Sequence, residues 1–155
     1  MRLSLSSTPF RTFVAVPAVV LAEQIVAGRR LHPAWAPVLG WGFLQYRLAG
    51  RYRQARAGGP PGLSQGRPVR LVTTGAYART RNPMYLGHLV FLAGLTAVTR
   101  SPLALAVTAA LVPWFDERAH TDHRRLLELF GAEYERYAAG VPRWLPGLPT
   151  DRPAP

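Results

Sequence analysis

A chain of 155 residues has room for one domain. Its 19 basic residues are all arginine and outweigh 8 carboxylates, giving a net charge of +11, while the lack of cysteine excludes disulfides, thiolate metal sites and a cysteine nucleophile. With 48% hydrophobic and only 17% charged residues, the chain is too apolar for an arginine-rich nucleic-acid binder and suits short membrane spans joined by basic loops.

Taken in order, Phe10 to Ala27 is apolar and reads as a first span, with Arg11 snorkelling at one end and Glu23 either facing other helices or marking the other end. A cleaved leader is the competing reading of this stretch. Arg29, Arg30 and Pro33 form a connection, and Ala34 to Ala49 reads as a second span between Trp35 and the Gln45-Tyr46-Arg47 group. Residues 50–81 carry seven arginines and the Gly58-Gly-Pro-Pro-Gly62 run, and read as a loop, with a short extended piece over Val69 to Thr73. Apolar stretches over 82–115, turning at Arg100-Ser-Pro102, predict a helical hairpin. The small pairs Ala93/Ala97 and Ala106/Ala110 have the spacing that lets membrane helices pack closely. Residues 116–146 predict a C-terminal amphipathic helix whose stripe is Leu126, Phe130, Tyr134 and Tyr137, and 147–155 reads as a tail.

The expected fold is therefore all-α, an integral membrane domain of about four spans with the C-terminal helix at the cytosolic face. Arginine placement supports that topology. With both termini cytoplasmic, 16 arginines lie inside and only Arg29, Arg30 and Arg100 outside, a bias expected of a multi-pass membrane protein.

Within this frame, Gly75 to Gly87 is the most informative stretch. Asn82 followed by Pro83 reads as an N-cap and first helical residue. Backbone N–H groups and the positive helix end would converge there beside Arg81, an arrangement suited to an anion. Tyr77 and Tyr85 flank it with π-faces for a cation or a purine. His120, Asp122 and His123 are too sparse a set for a metal site, and none is expected.

Two segments carry a resemblance. Leu71-Val-Thr-Thr-Gly-Ala-Tyr77 with Arg81-Asn-Pro-Met-Tyr-Leu-Gly87, followed by Phe130-Gly-Ala-Glu-Tyr134 and Val141-Pro-Arg143, resembles the signature of the isoprenylcysteine carboxyl methyltransferase and phospholipid methyltransferase family of membrane enzymes. The resemblance implies transfer of a methyl group from S-adenosylmethionine to a lipophilic or membrane-associated acceptor, with no nucleic acid involved. It implies cofactor contacts at Thr73, Gly75, Tyr77, Arg81, Asn82, Tyr85, Gly87 and Asp122, and catalytic roles for Arg118, Asp122 and His123. Two departures stand out. Asn82 replaces a histidine often found there, and Asp122-His123 stands where the family has Glu-Glu. A related element occurs in NADPH-dependent sterol-type reductases, but Met84 and His88 depart from it. A membrane binding module with altered catalysis is the remaining alternative.

Overall fold

The computed structural model describes residues 7–58 and 68–145, and among these every regular element is helical. The helix α1 runs Thr8–Val26, started by Ser7, whose Oγ accepts from the Phe10 N–H at 3.4 Å. A wide π-type turn over Arg11–Ala15 ends two residues before Pro17, whose ring nitrogen cannot donate back to the previous turn. The helix α2 covers Ala36–Ala57, α3 Pro83–Thr99, α4 Pro102–Phe130 and α5 Ala132–Gly140.

Three predicted boundaries are corrected. The second helix does not stop at Ala49 but continues through Arg51, Tyr52, Arg53 and Arg56 to a left-handed Gly58 at φ 66°, so the first part of the expected loop is helical. Arginine, glutamine and alanine are good helix formers, and Gly50 alone is too weak a breaker to end the helix. The fourth apolar stretch and the amphipathic helix are one element, α4, which passes Pro113 and the polarity change at Asp116 without ending. Its end comes at Gly131, φ 49°, which splits the predicted stripe between α4 and α5. Residues 69–73 form no strand, and a 3-10 turn follows over Gly75–Ala78. The glycine-proline run after Gly58 and the tail from Pro146 lie outside the described residues.

The packing centre is the α2–α3 pair. A methyl group placed on Gly42 would strike the Phe91 backbone, and one on Gly87 would come within 2.7 Å of the Tyr46 nitrogen, so the helices meet backbone to backbone. The expected alanine pairs do not make this contact, since Ala93, Ala106 and Ala110 are exposed. The α3–α4 hairpin is joined instead by Thr96 and Thr108, whose hydroxyls lie 3.0 Å apart. Phe13 of α1 stacks on His88 at 4.6 Å, and Phe115 of α4 stacks on the same imidazole at 5.1 Å. This aromatic column ties α1, α3 and α4 together.

The end of the bundle formed by the α3–α4 turn is closed by polar bonds. Ser101 Oγ donates to Glu23 at 2.8 Å, Arg29 pairs with the same carboxylate at 3.0 Å, and Gln24 Nε2 donates to the Thr99 carbonyl at 2.6 Å. Glu23 thus both marks the end of the first helix and faces its neighbours.

Among the described residues, α1 is the helix long and apolar enough to cross a membrane, and only 17% of its apolar stretch is buried. The α3 helix is apolar but shorter. Large apolar side chains also point outward from α1 (Ile25, Val26), α2 (Trp41, Leu48) and α4 (Leu105, Val112).

Candidate active site

At the opposite end lies a cleft with about 740 Å³ of non-atom space, partly open to solvent. Its walls come from the end of α2, the segment from Pro68 to Tyr77, the start of α3, the second half of α4, and α5. The α2 extension is what positions the first wall. The Val69 and Arg70 N–H groups both donate to the Ala57 carbonyl, at 2.9 and 3.0 Å, and Val72 and Tyr77 pack on Ala49 and Ala57.

The start of α3 is held by the C-terminal segment. Arg81 N–H donates to the Pro142 carbonyl at 2.9 Å, while Thr80 Oγ1 and Asn82 Nδ2 donate to the Arg143 carbonyl at 3.0 and 3.2 Å. Asn82 therefore occupies the N-cap position without capping, a correction to the sequence reading, because its side chain turns to Arg143 instead. Pro83 does open the helix, and its carbonyl accepts from Gln45 of α2 at 3.1 Å. Arg143 is clasped in turn by α4. Its Nη1 lies 3.3 Å from Asp116 Oδ1 and 2.7 Å from His120 Nε2, and Trp144 donates to Asp116 at 2.9 Å.

Two polar groups of residues line the cleft. Tyr85 OH donates to Asp122 Oδ2 at 2.8 Å. Arg81, only 7% exposed, brings Nη1 to 3.1 Å from His123 Nδ1, and Tyr134 OH lies 3.1 Å from the same nitrogen. Tyr137 OH donates to the Tyr77 carbonyl at 2.7 Å, which ties α5 to the opposite wall. Burial pushes the Tyr77 phenol up to about 12 and raises those of Tyr134 and Tyr137, so all three stay protonated at neutral pH.

Of the sequence-derived residues, the structure brings Tyr77, Arg81, Asn82, Tyr85, Asp122 and His123 together on the cleft wall. Four others sit elsewhere. Arg118 is exposed and lies over the Trp114 ring at 5.0 Å, one turn of α4 removed from Asp122. Gly87 faces α2, where only a glycine admits the Tyr46 backbone. Gly75 adopts φ 66° against the Tyr52 ring, and Thr73 is half-buried off the lining. The motif's glycines are thus packing positions here. Sequence reasoning missed Arg53, Arg70 and Arg125, which also line the cleft. Arg53 was legible only by continuing α2 beyond Gly50, one turn past the expected end.

The lining fits S-adenosylmethionine in donor set. The aromatic faces of Tyr77, Tyr85, Tyr134 and Tyr137 suit adenine and a sulfonium, Asp122 suits ribose hydroxyls, and four arginines suit a carboxylate. Among the described residues no cluster of three or more metal-ligating side chains occurs.

The chain is thus, among the described residues, all-helical, with a basic, aromatic-walled cleft built where two signature segments meet. Residues 59–124 match the model of the phospholipid methyltransferase family. Over 79 residues the chain is 35% identical to protein-S-isoprenylcysteine O-methyltransferase B of Arabidopsis thaliana, covering 50% of this chain and 40% of that protein. It is 35% identical over 81 residues to the protein-S-isoprenylcysteine O-methyltransferase of Schizosaccharomyces pombe, covering 51% and 34%. With the Homo sapiens protein of the same name it shares 36% over 78 residues, covering 49% and 27%. On these matches the chain is similar, over its central and C-terminal part, to the isoprenylcysteine carboxyl methyltransferase and phospholipid methyltransferase family. It spans less than half the length of these relatives. No solved structure matches it.

Proposed function

We propose that the chain is an S-adenosylmethionine-dependent methyltransferase working at a membrane face on a lipophilic acceptor whose reacting atom is already anionic, a carboxylate above all. The observation that carries this reading is the cleft lining, where Arg53, Arg70, Arg81 and Arg125 outnumber the one carboxylate, Asp122. An excess of guanidinium groups favours anionic ligands and opposes an ammonium acceptor. Proton inventory points the same way. An amine acceptor must lose a proton, yet the Tyr77, Tyr134 and Tyr137 phenols are held protonated and His123 Nδ1 lies 3.1 Å from Arg81 Nη1. A carboxylate needs no base.

S-adenosylmethionine, when bound, supplies a methyl group on a positively charged sulfur. Displacement of that sulfur by an acceptor oxygen would leave a neutral thioether and an ester. For such a displacement the protein contributes orientation and exclusion of water. Arg81 and the α3 start hold an anionic group, the Tyr85–Asp122 pair fixes one wall, and Leu71, Val72, Met84 and Leu126 keep the floor apolar.

The four-span topology belongs to the same proposal. The outward apolar residues of α1, α2 and α4 suit contact with lipid, and the arginine bias would put the cleft and both ends on the cytoplasmic side. The acceptor then enters from the bilayer. The test is incubation of the purified chain with methyl-labelled S-adenosylmethionine and membrane extract. Base-labile label on a lipid-soluble carboxylate supports the reading, base-stable label points to an amine, and binding without transfer would mean a binding module.

A further inference from the structure

Where the family's pattern has a carboxylate, this chain has His123, and the geometry gives that exchange a role. We infer that His123 is a positioning residue: its unprotonated Nδ1 holds the Arg81 guanidinium in the cleft, so the cleft takes its ligand only while His123 is neutral. The inference rests on the methyltransferase reading above.

Guanidinium nitrogens donate and never accept. With Arg81 Nη1 at 3.1 Å, a hydrogen bond between the two requires His123 Nδ1 to offer its lone pair, with the ring proton on Nε2. Tyr134 meets the same edge of the ring. Tyr134 lies with its ring centroid 5.3 Å away, tilted by 59°, and with its hydroxyl 3.1 Å from Nδ1. Tyr134 is itself 2% exposed, so this wall does not yield easily.

A glutamate at position 123 would accept from Arg81 and also cancel its charge. His123 accepts without cancelling it, which leaves Arg81 the stronger partner for an anion in the cleft. The same exchange adds a condition. A protonated imidazole has two donors and no acceptor, so its Nδ1–H would oppose the Arg81 N–H group, cation against cation. The charged and titratable groups that line this space with His123 are Arg53 of α2, Arg70, Tyr77, Arg81 and Tyr85 on the facing wall, Asp122 and Arg125 on its own helix, and Tyr134 and Tyr137 of α5. Arginines predominate among them. Because Nδ1 is engaged by Arg81, His123 serves orientation rather than proton removal.

The test is calorimetric titration of the full chain in detergent with S-adenosylhomocysteine, the non-reactive product, from about pH 8 to about pH 5.5. The expected result is that wild-type affinity falls with acidification, approaching about tenfold per pH unit at the acid end, as one added proton requires. H123Q, whose amide oxygen accepts from Arg81 but does not titrate, should bind within about threefold of wild type at neutral pH and lose the acid dependence. Flat wild-type binding, or an undiminished slope in H123Q, would overturn the role of His123 while leaving the methyltransferase reading intact. No binding at any pH would overturn both. A second measurement needs no ligand: nitrogen NMR of the labelled imidazole should show a bare Nδ1 and a protonated Nε2 at neutral pH, and the opposite tautomer would sink the inference.

Discussion

The two ends of the helical bundle solve opposite problems with similar residues. At the α3–α4 turn, the carboxylate of Glu23 is met by Ser101 and Arg29, and Gln24 by a backbone carbonyl, in a closed set of bonds. At the other end, Arg81, His123, Tyr85 and Asp122 also bond to one another, but on the wall of an open cleft where arginines exceed carboxylates. The first arrangement fastens helices. The second fastens side chains and leaves a net positive charge facing the cleft.

The contrast can be broken by mutation, and the largest effect belongs to the open end. Arg81→Ala should weaken S-adenosylhomocysteine binding by roughly 10- to 150-fold, the worth of a charge-assisted bond of about 1.5–3 kcal/mol, as read by calorimetry. Next comes the packing that both ends share. Gly87→Leu must push α2 and α3 apart and should cost about 1–3 kcal/mol, seen as a lower thermal midpoint in detergent together with weaker ligand binding.

A smaller effect follows from the cleft phenols. Tyr77 and Tyr137 have raised pKa values, so the folded state keeps protons that the unfolded chain gives up. Their contribution to stability is complete below about pH 10 and drains away as pH climbs towards about 12. Phenolate absorbance and circular dichroism should therefore change together over that window; absorbance rising first, with helicity intact, would contradict the burial. The least effect is expected at the closed end. Ser101→Ala removes the α4 cap and a partner of Glu23, costing about 1 kcal/mol of stability with ligand affinity unchanged.

How much of this was legible depends on what a residue reports. Apolar stretches located α1, α2, α3 and the first half of α4, because burial or lipid contact selects side chains directly, whereas α5 was read as the end of one longer amphipathic helix. Boundaries were harder, since polarity marks the environment and not the backbone: at Asp116 the side chains turn polar while α4 continues, and at Gly50 a glycine sits inside α2. Real stops came from backbone conformation, the left-handed Gly58 and the positive φ of Gly131. In the cleft, Arg81 and Tyr85 were readable from chemistry and spacing, and Asp122 only through the resemblance. Gly87 and Gly75 were read as ligand contacts, although their cause is the approach of Tyr46 and Tyr52 from α2, which only the three-dimensional arrangement reveals.

The unbroken α4 has a mechanical consequence. Its 29 residues extend for about 43 Å, beyond a hydrocarbon layer of about 30 Å, so one rigid rod joins the hairpin turn to the cleft. Asp122 and His123 are indexed to that rod like teeth on a shaft. Inserting one residue between Leu103 and Phe115 would rotate them by about 100° and swing both off the cleft wall, whereas inserting seven would restore their bearing but lift them by about 10 Å. The phase of the site is set by a residue count in a stretch that never touches it.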